Sequence, residues 1–550
     1  MLLLTGKQSK LIDEFTQNQI GIPGLVLMER AALKVAEHVE HLIRTGTSPS
    51  GSDAVLAVAG IGNNGADAVA AARILKTHGI HAEALVVGNP EKMTESMERQ
   101  IQIAGELGVN VEITDPEYAV KMYHYFRKKN FGYLLDGLFG VGLCREITGG
   151  YRELIEAIND HAFSGEIYKT AVDVPSGIDC GTGRVLGCAM KCSDTVTFGS
   201  LKYGLTIDEG RKYAGEIFTE DIGLVNPVPG EIAGEERIVY RSLEKKDLSG
   251  LLPLRDPSSN KGTYGKILIA AGNDDIYGAA FLSAAAAYSM GAGLVKVFTS
   301  EKNRDNLMRM LPEAMVSTYT KDDFGYAGKD KLRADIKWAD VIVCGPGLGT
   351  DDMAKGILTE IVSAEIPDKG KGKTLILDAD AINMMGTDRE LLRTASRNYR
   401  TRVIITPHML EMSRISGETI EKIRENRGLA ARNLAEEYKI AVVLKDARTH
   451  MAVWDCDEVF VNLTGNSGMS KGGSGDVLTG ILASLLAQWR GVFDEHDIME
   501  YEEDTAKYHF LQVIAEAVYL HGLAGDKAAE TKGQFGMLAG DIINGIKEVI

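Results

Sequence analysis

The feature that most constrains this chain is a repeated alternation of short apolar runs with longer helical patterns. In the first half the apolar runs are AVLAVAG, HAEALVVG, FGYLLDGLFG, YKTAVDVPSG and DTVTFG. Buried runs of this length, separated by helical patterns, indicate parallel strands joined by crossover helices. We therefore expect an α/β fold, built in the first half as a three-layer α/β/α domain.

At 550 residues the chain is too long for one hydrophobic core. The stretch NPVPGEIAGEE, residues 226–236, combines prolines, glycines and acids without apolar periodicity, which is typical of an interdomain linker. Beyond it the alternation restarts with GKILIAAG and continues to THMAVWD. The sequence thus predicts two α/β domains, residues 1–228 and 237–550.

The composition limits the kinds of molecule that the chain is expected to bind. The formal net charge of −17 disfavours nucleic acid and anionic membrane surfaces. None of the six cysteines forms a C-x-x-C pair, which favours scattered, mostly buried thiols in a reducing cytoplasm. The uncharged stretch Ile276–Val295 has a membrane-spanning length, but its alanines and glycines favour a buried helix followed by a strand. We expect a cytoplasmic homo-oligomer that acts on small molecules.

The segment GIGNNG, Gly60–Gly65, matches the glycine fingerprint of Rossmann-like dinucleotide-binding domains, and an NAD-linked dehydrogenase is one interpretation. That interpretation requires an acidic residue at the end of the next strand, which here ends ALVVGN. The content of the turn, with Asn63, Asn64 and Asp67, is better suited to holding a hard cation or polar substrate groups. The alternative is turn chemistry, in which Asn and Asp are common.

Two later strands also end in carboxylates followed by tight turns, at Asp136 and Asp173. In open parallel sheets the ligand site lies at the carboxyl ends of the strands. Convergence of polar residues at that edge is harder to explain as turn chemistry. The residues predicted to converge are Asn64, Asp67, Asp136, Asp173 and Ser176.

The strongest single motif of the second half is NSGMSKGGSGD, which ends at Asp476 and precedes an apolar helix. Gly472, Gly473 and Gly475 allow backbone amides to approach an anion at the positive end of that helix. Asp476 could accept a proton from a hydroxyl group that attacks phosphorus, although Asp is also ordinary in a first helical turn. We predict a phosphate site with Asp476 as the base.

Four ordered motifs, LMERAA, GIGNNGAD, LLDGLFGVGL and VDVPSGID, resemble the YjeF-type amino-terminal domain, a family of epimerases of hydrated NADH and NADPH. The resemblance implies a Rossmann-like fold and a K⁺ ion held by Asn64, Asp136 and Ser176. It implies substrate contacts at Asn63, Asn64, Gly65, Ala66, Asp67, Gly140, Val141, Gly142, Leu143, Cys144, Arg145, Glu146 and Asp173.

Within that set, Asp173 is the expected acid/base. Arg145, whose guanidinium stays protonated, is expected either to stabilise charge or to lie in solvent. Ala66 and Ala68 stand where the family often has glycine, which we expect to narrow the loop.

The motif GGSGD resembles the anion hole of ribokinase-like phosphotransferases. Together with NKGTYGKILIAAG, CGPGLG, LDADAIN, TPHMLEMSRI and LKDART, it is similar to the YjeF-type carboxy-terminal domain, an ADP- or ATP-dependent dehydratase that works with Mg²⁺. The implied hydrate contacts are Ala279, Gly349, His408 and Asp476, with Gly347 a weaker one. The implied nucleotide contacts are Lys445, Asp446, Ala447, Arg448, Thr449 and Gly475.

Two of these positions have a competing interpretation. His408 could be a polar residue satisfied within its turn. The family pattern KGAxT is KDART here, so Asp446 and Arg448 are expected to alter the nucleotide contact.

The resemblance implies a bifunctional repair enzyme. Its first domain would interconvert the R and S epimers of NADHX and NADPHX, and its second would dehydrate the S epimer with ADP or ATP. The alternative is a ribokinase-like kinase of a small molecule, such as a vitamin precursor, with a non-catalytic amino-terminal domain that binds a ligand or a partner, since GGSGD occurs in that class as well.

Overall fold

The computed structural model describes residues 1–160, 167–227, 232, 238–250, 252, 255–366, 372–400, 402–495 and 503–550. The chain divides into two compact units, Leu2–Val239 and, together with Met1, Tyr240–Ile550. The predicted linker and both predicted domain boundaries lie mostly outside the described residues. The observed division falls a few residues beyond them.

The first unit is built around a parallel sheet with the strand order β4-β3-β2-β5-β6-β7-β9. A separate short parallel pair joins β1 to β8. The strands of the first unit are β1 Leu2–Leu4, β2 Val55–Gly60, β3 Ala82–Val87, β4 Asn110–Thr114, β5 Tyr133–Gly137, β6 Tyr168–Val172, β7 Asp194–Phe198, β8 Leu201–Lys202 and β9 Glu216–Glu220. Its helices are α1 Gly6–Phe15, α2 Gly24–Arg44, α3 Asn63–Thr77, α4 Glu95–Glu106, α5 Pro116–Arg127, α6 Gly149–Asn159 and α7 Asp208–Ala214.

Both faces of this sheet are covered by helices. Val55, Ala57 and Ala59 of β2 belong to a core shared with α2, α3 and α4, whereas Leu56 and Val58 belong to a core shared with α5 and α6. Because successive side chains of a strand point to opposite faces, a strand buried on both faces has to be apolar throughout. The apolar run AVLAVAG reflects this requirement, and the predicted three-layer α/β/α architecture is confirmed.

The second unit contains a larger, mixed sheet. Its described strands run in the order β13-β12-β11-β14-β15-β16-β17-β18-β19, parallel up to β17 and antiparallel beyond it. The strands are β10 Val239–Arg241 at the boundary, β11 Lys266–Ala270, β12 Leu294–Ser300, β13 Met315–Tyr319, β14 Val341–Cys344, β15 Thr374–Leu377, β16 Val403–Ile405, β17 Ala441–Leu444, β18 His450–Val453 and β19 Glu458–Val461.

The helices of the second unit surround this sheet. They are α8 Gly278–Ser289, α9 Arg304–Met310, α10 Lys329–Trp338, α11 Asp352–Val362, α12 Asp380–Thr387, α13 Glu390–Asn398, α14 Met409–Ser416, α15 Ile420–Glu425, α16 Arg427–Tyr438, α17 Ser474–Glu495, α18 Glu503–Gly536 and α19 Ala539–Val549. The alanines of α8 pack in one core with α17, α18 and α19. The uncharged stretch Ile276–Val295 is therefore a buried helix followed by β12, as predicted.

The strands predicted from apolar runs are all present. The structure adds the short strands β1, β8 and β10 and the strands β4, β9, β13 and β19, which carry polar residues, and none of these was predicted. Four of the six cysteines are buried, Cys456 is half-buried and Cys144 is exposed. None of the helices in the described ranges is both long and apolar enough to cross a membrane.

Candidate active sites

The glycine-rich segment of the first unit forms the junction between β2 and α3. A Cβ at Gly65 would lie 2.0 Å from the carbonyl oxygen of Gly60, so only glycine allows the first turn of α3 to pack against the strand end. This close approach brings Asn63, Asn64 and Asp67 to the carboxyl edge of the sheet, because they lie in the first two turns of α3.

A cavity of about 790 Å³ opens at this edge. Neither Ala66 nor Glu146 lines it: Ala66 is fully buried within α3, and Glu146 is exposed elsewhere. The predicted substrate contacts that do line it are Asn63, Asn64, Gly65, Asp67, Gly140, Val141, Gly142, Leu143, Cys144, Arg145 and Asp173. The structure therefore brings together most of the predicted substrate-binding set.

The expectation that Ala66 and Ala68 narrow the loop is not met. Both side chains are fully buried in the packed face of α3. The methyl group of Ala68 lies only 2.6 Å from where a Cβ at Gly137 of β5 would be. The two alanines therefore fill the helix–sheet interface instead of the cavity.

Asp173 follows β6 and is held in an unusual conformation. Its backbone is left-handed, with φ of 66°, which a non-glycine residue adopts only when its surroundings impose it. Its Oδ1 accepts hydrogen bonds from Thr197 Oγ1 at 2.9 Å, the backbone N–H of Phe198 at 3.2 Å and Lys202 Nζ at 2.6 Å. Oδ2 has no donor among the described residues and is the oxygen left for a ligand. Lys202 itself is 3% exposed.

The three predicted K⁺ ligands converge around the backbone of Phe139. The carboxylate of Asp136 is fully buried and accepts hydrogen bonds from Ser176 Oγ at 2.6 Å and Ser176 N–H at 2.8 Å. Ser176 Oγ accepts from the N–H of Phe139 at 2.9 Å, and Asn64 Nδ2 donates to the carbonyl of Phe139 at 3.0 Å. Burial raises the pKa of Asp136 to about 6. Oδ1 of Asn64 is left available.

Besides Asp173, the carboxylates that line the cavity are Asp13, Asp67 and Glu95. Asp67 is half-buried and accepts no hydrogen bond from any described residue. Asp13 of α1 accepts a hydrogen bond from Gln17 Nε2 at 2.7 Å. Burial raises the pKa of both, and the negative charge of Asp173 raises it further, for Asp67 well above its usual range.

Sequence reasoning did not identify Asp13, Lys10 or Lys202, all of which line this cavity. Lys10 and Asp13 lie in α1, which precedes every motif, and Lys202 follows β7 in the unremarkable stretch GSLKYG. A buried lysine at the end of a strand is the only signal that could have indicated Lys202.

In the second unit the glycine-rich motif forms the turn before α17. Gly473 has φ of 95°, and a Cβ there would lie 2.7 Å from Leu282, so this position requires glycine. Asp476 lies in the first turn of α17 and is half-buried. Burial, followed by the negative charge of Asp378, raises the pKa of Asp476 to about 7.

Asp378 is the centre of a buried hydrogen-bond network. It follows β15 and is 1% exposed. Its Oδ1 accepts from Thr406 Oγ1 and Lys445 Nζ, each at 2.6 Å, and its Oδ2 accepts from Thr479 Oγ1 at 3.1 Å. Burial opposes the charged form of Lys445, but the charges of Asp378 and Glu411 outweigh it and raise the pKa of Lys445. The network joins the ends of β15, β16 and β17 to α17.

His408 is the N-cap of α14. Its Nδ1 accepts hydrogen bonds from the N–H groups of Leu410 and Glu411, and Glu411 accepts from the N–H of His408 at 2.8 Å. His408 is thus a polar residue that is hydrogen-bonded within its own turn, which was the alternative interpretation. Its side chain is 51% exposed, and its other nitrogen, Nε2, lies 3.3 Å from Oε1 of Glu411. Burial raises the pKa of Glu411 to about 7, whereas burial and Lys445 lower that of His408.

The predicted hydrate contacts Ala279 and Gly349 lie on the loops next to this network. A Cβ at Gly347 would lie 3.0 Å from the Cβ of Ala279, so the two segments are packed together. The N–H of Gly349 donates to Asp380 Oδ2 at 2.8 Å. Asp380 in turn raises the pKa of Asp476, which connects these loops electrostatically to the anion site.

The predicted nucleotide-binding segment, Lys445 to Thr449, divides into two parts. Lys445 faces Gly475, where a Cβ would lie 3.5 Å from Lys445 Nζ. Asp446 instead accepts a hydrogen bond from Arg427 Nε at 2.8 Å, and the buried Arg448 donates to the carbonyl of Leu463 at 2.7 Å. Both charged side chains are therefore engaged by the protein. Ala447 is exposed between them, and Thr449 is half-buried.

Sequence reasoning quoted the segments that contain Asp378, Asp380, Glu411 and Thr479 without assigning them a role. Asp378 and Asp380 lie in LDADAIN, Glu411 in TPHMLE and Thr479 in the helix after GGSGD. Their position after consecutive parallel strands was a usable signal.

Two family models match the chain. One is described as YjeF-related protein N-terminus and matches residues 24–204. The other is described as NAD(P)H-hydrate dehydratase and matches residues 267–548.

Similar proteins extend over nearly the whole chain. A bifunctional NAD(P)H-hydrate repair enzyme from Thermofilum pendens is 31% identical over 97% of this chain and 93% of its own length. One from Escherichia coli is 31% identical over 90% of this chain and 84% of its own length.

Among solved structures, a ribokinase-like superfamily protein from Enterococcus faecalis is 31% identical, with a TM-score of 0.46, over 56% of this chain and 94% of its own. The ADP/ATP-dependent NAD(P)H-hydrate dehydratase from Bacillus subtilis, co-crystallised with ATP and Mg²⁺, is 28% identical, with a TM-score of 0.43, over 56% of this chain and 96% of its own.

Proposed function

Because this chain belongs to the family of bifunctional NAD(P)H-hydrate repair enzymes, we propose that it restores hydrated NADH and NADPH through two activities. The domain at residues 1–228 interconverts the R and S epimers of the hydrate. The domain at residues 237–550 dehydrates the S epimer, using ADP or ATP. The observation that carries this proposal is Asp476, a carboxyl with a pKa of about 7 at the start of a helix that follows a glycine-rich turn.

The dehydration requires the ring hydroxyl to be made a better leaving group. Asp476 takes the proton of that hydroxyl as its oxygen attacks the terminal phosphoryl group of the nucleotide. A base with a pKa near the working pH is suited to this task. The C–O bond then breaks, phosphate leaves with its electrons, and the neighbouring ring carbon loses a proton to solvent, so that the electrons of that C–H bond restore the double bond of the reduced nicotinamide. The amides at the start of α17 face the transferred group, and Lys445 beside Gly475 balances its negative charge.

ADP or ATP is expected to bind together with a metal ion. The residues of the second site fit an ion whose ligands are chiefly phosphate oxygens. No cluster of three or more His, Cys, Asp or Glu side chains in the described part of the chain could hold a metal ion alone. Mg²⁺ commonly uses one or two carboxylates together with substrate phosphates and water. When bound, Mg²⁺ neutralises charge on the phosphates.

In the first domain, the cavity residues described above bind the hydrate, with Asp173 as acid/base and Arg145 as a stabiliser of charge. Asn64, Asp136 and Ser176 offer amide, carboxylate and hydroxyl oxygens around Phe139. An all-oxygen set of this kind fits K⁺, which would supply positive charge beside the substrate. We propose that these three residues hold it.

A single experiment tests both activities. Purified protein is mixed with both epimers of NADHX and with ADP or ATP, and the absorbance of reduced nicotinamide is followed. We expect full recovery of NADH with one of the nucleotides. Recovery of only the S epimer would contradict the epimerase activity. A stable phosphorylated product without NADH would instead favour a ribokinase-like kinase.

A further inference from the structure

The cavity of the first domain presents two aspartates that differ in their partners. Asp173 is paired with the buried Lys202 at 2.6 Å. Asp67 accepts no hydrogen bond from any described residue and lines the same cavity. Asp67 comes from the helix after β2 and Asp173 from the end of β6, with β5 between these strands in the sheet. The helix that carries Asp67 packs against β5 and contacts β6, so the two carboxyl groups share one cavity at the carboxyl edge of the sheet.

We infer that Asp67 is a second catalytic residue of epimerisation: it acts as the general acid, while Asp173 in the same cavity acts as the general base. The inference rests on the proposed epimerase function and adds a residue to it. Burial and the charges of Asp173 and Asp13 favour the protonated form of Asp67. A carboxyl group whose surroundings favour the proton is suited to act as the acid, and Asp173, which is paired with Lys202 and keeps Oδ2 free of donors from the described residues, is suited to act as the base.

The chemistry of the substrate calls for such a pair. Addition of water to the enamine of a reduced nicotinamide places the hydroxyl on a carbon bonded to the ring nitrogen. Epimerisation at that carbon requires the C–O bond to break and to form again on the opposite face. One group has to protonate the departing oxygen, and another has to take a proton from the incoming water.

In the forward direction Asp67 donates its proton to the hydroxyl. The C–O bond breaks, its electrons leave with the oxygen as water, and the nitrogen lone pair forms a C=N double bond. A water molecule then attacks from the other face. The new C–O bond forms, the electrons of C=N return to nitrogen, and Oδ2 of Asp173 takes the released proton. One proton has passed from Asp67 to Asp173, solvent water returns it, and nothing is oxidised or reduced.

The electrostatic surroundings of Asp67 define what a pH profile should report. Asp13 and Asp173 add negative charge, and Lys202 compensates Asp173. The charged groups that line the cavity around Asp67 are Lys10 and Asp13 from α1, Glu95 and Arg99 from α4, Arg145 after β5, Asp173 after β6 and Lys202 from β8. The rate of epimerisation should fall as the pH rises and Asp67 loses its proton.

The test measures interconversion of R- and S-NADHX by the full chain without any nucleotide, so that dehydration does not contribute. We expect Asp67→Asn to lower kcat at least about 100-fold with little change in KM, the usual size of a general-acid contribution. The alkaline fall of the rate should be absent from the residual activity. Asp67→Glu should recover part of the rate together with the alkaline fall.

Asp13→Asn is the matched carboxylate variant. It removes a negative charge from the surroundings of Asp67, so the alkaline fall should move to lower pH. An alkaline fall that stays in place in Asp13→Asn, or a kcat within about threefold of the unmodified protein in Asp67→Asn, would overturn the inference. The Asp13→Asn result decides even if Asp67→Asn does not fold. If the unmodified protein does not interconvert the epimers, the proposed epimerase function itself fails.

Discussion

The two sites each place a buried lysine against an aspartate, but they expose different members of the cluster. In the first unit Lys202 bonds to Asp173 at 2.6 Å, and Asp173 itself lines the cavity. In the second unit Lys445 bonds to Asp378 at 2.6 Å, but Asp378 is fully occupied by its other hydrogen bonds. The group left for the substrate is its neighbour, Asp476.

In both sites an ion pair lies beside a carboxyl group that transfers a proton. That carboxyl group acts as an acid in the first site and as a base in the second. The lysine pairs with one aspartate, and the negative charge of that aspartate raises the pKa of the carboxyl group beside it. In the first unit the charged member faces the substrate together with a protonated neighbour. In the second unit the charged member is hidden, and its neighbour titrates near pH 7.

The largest effect is expected from Asp476→Asn. Removing the base should lower nucleotide-dependent dehydration of S-NADHX about 1,000-fold, within the range of general-base contributions. The measurement is the appearance of reduced-nicotinamide absorbance with ADP or ATP. Epimerisation should be unaffected, and Asp305→Asn, on the exposed side of α9, should retain both activities. Dehydration within tenfold of the unmodified rate would exclude Asp476 as the base.

Removing the lysine of the second site should destabilise it strongly. Lys445→Met leaves the buried charge of Asp378 without its partner, a change expected to lower the free energy of unfolding by about 3 kcal/mol. All three tryptophans, Trp338, Trp454 and Trp489, lie in this unit, so denaturant unfolding followed by tryptophan fluorescence reports on it.

The double variant Lys445→Met/Asp378→Asn is the control for that prediction. It removes both charges and should recover most of the lost free energy of unfolding. Equal destabilisation of the single and double variants would show that the loss comes from packing and not from the ion pair.

The two activities should depend on pH in opposite directions. Asp476 has to be ionised and has a pKa of about 7, so kcat/KM for dehydration should fall up to about tenfold per pH unit below 7. Asp67 has to be protonated, so epimerisation should fall as the pH rises. Separate assays from pH 5 to 9 check this, and parallel profiles would contradict the comparison.

The smallest effect is expected at Asp446. Because its carboxylate accepts from Arg427 and is partly exposed, Asp446→Asn should lower the free energy of unfolding by at most about 1 kcal/mol. The KM for ADP or ATP should stay within about threefold of the unmodified value. A tenfold rise in that KM would show that Asp446 contacts the nucleotide, as its motif implied.

The fold was predictable where burial leaves a local pattern. Strands such as β2 and β11 are apolar because they are covered on both faces, and the sequence shows this directly. Strands β4 and β9 lie at the edges of the first sheet and are largely exposed or half-buried. A strand that is not covered on both faces has no need of an apolar run, and both were missed for that reason.

The sites were predictable only where glycine turns and acids occur together. Asp173 precedes such a turn and Asp476 follows one. Lys202 and Asp13 act on residues distant in sequence, which no local pattern records, whereas the position of Asp378 after a parallel strand was a signal that was not used. The direction of the Ala66 side chain could not be predicted either, because it depends on which face of α3 packs against the sheet.

The bonds of Asp378 have a consequence for experiments on crystals. Thr406, Lys445 and Thr479 reach it from three different elements, so the strand ends and the start of α17 are locked together before any nucleotide arrives. Binding then has no need to rearrange the backbone of the second unit. Crystals grown without ligand should accept ADP or ATP by soaking, keep their lattice, and show the nucleotide on an unshifted α17.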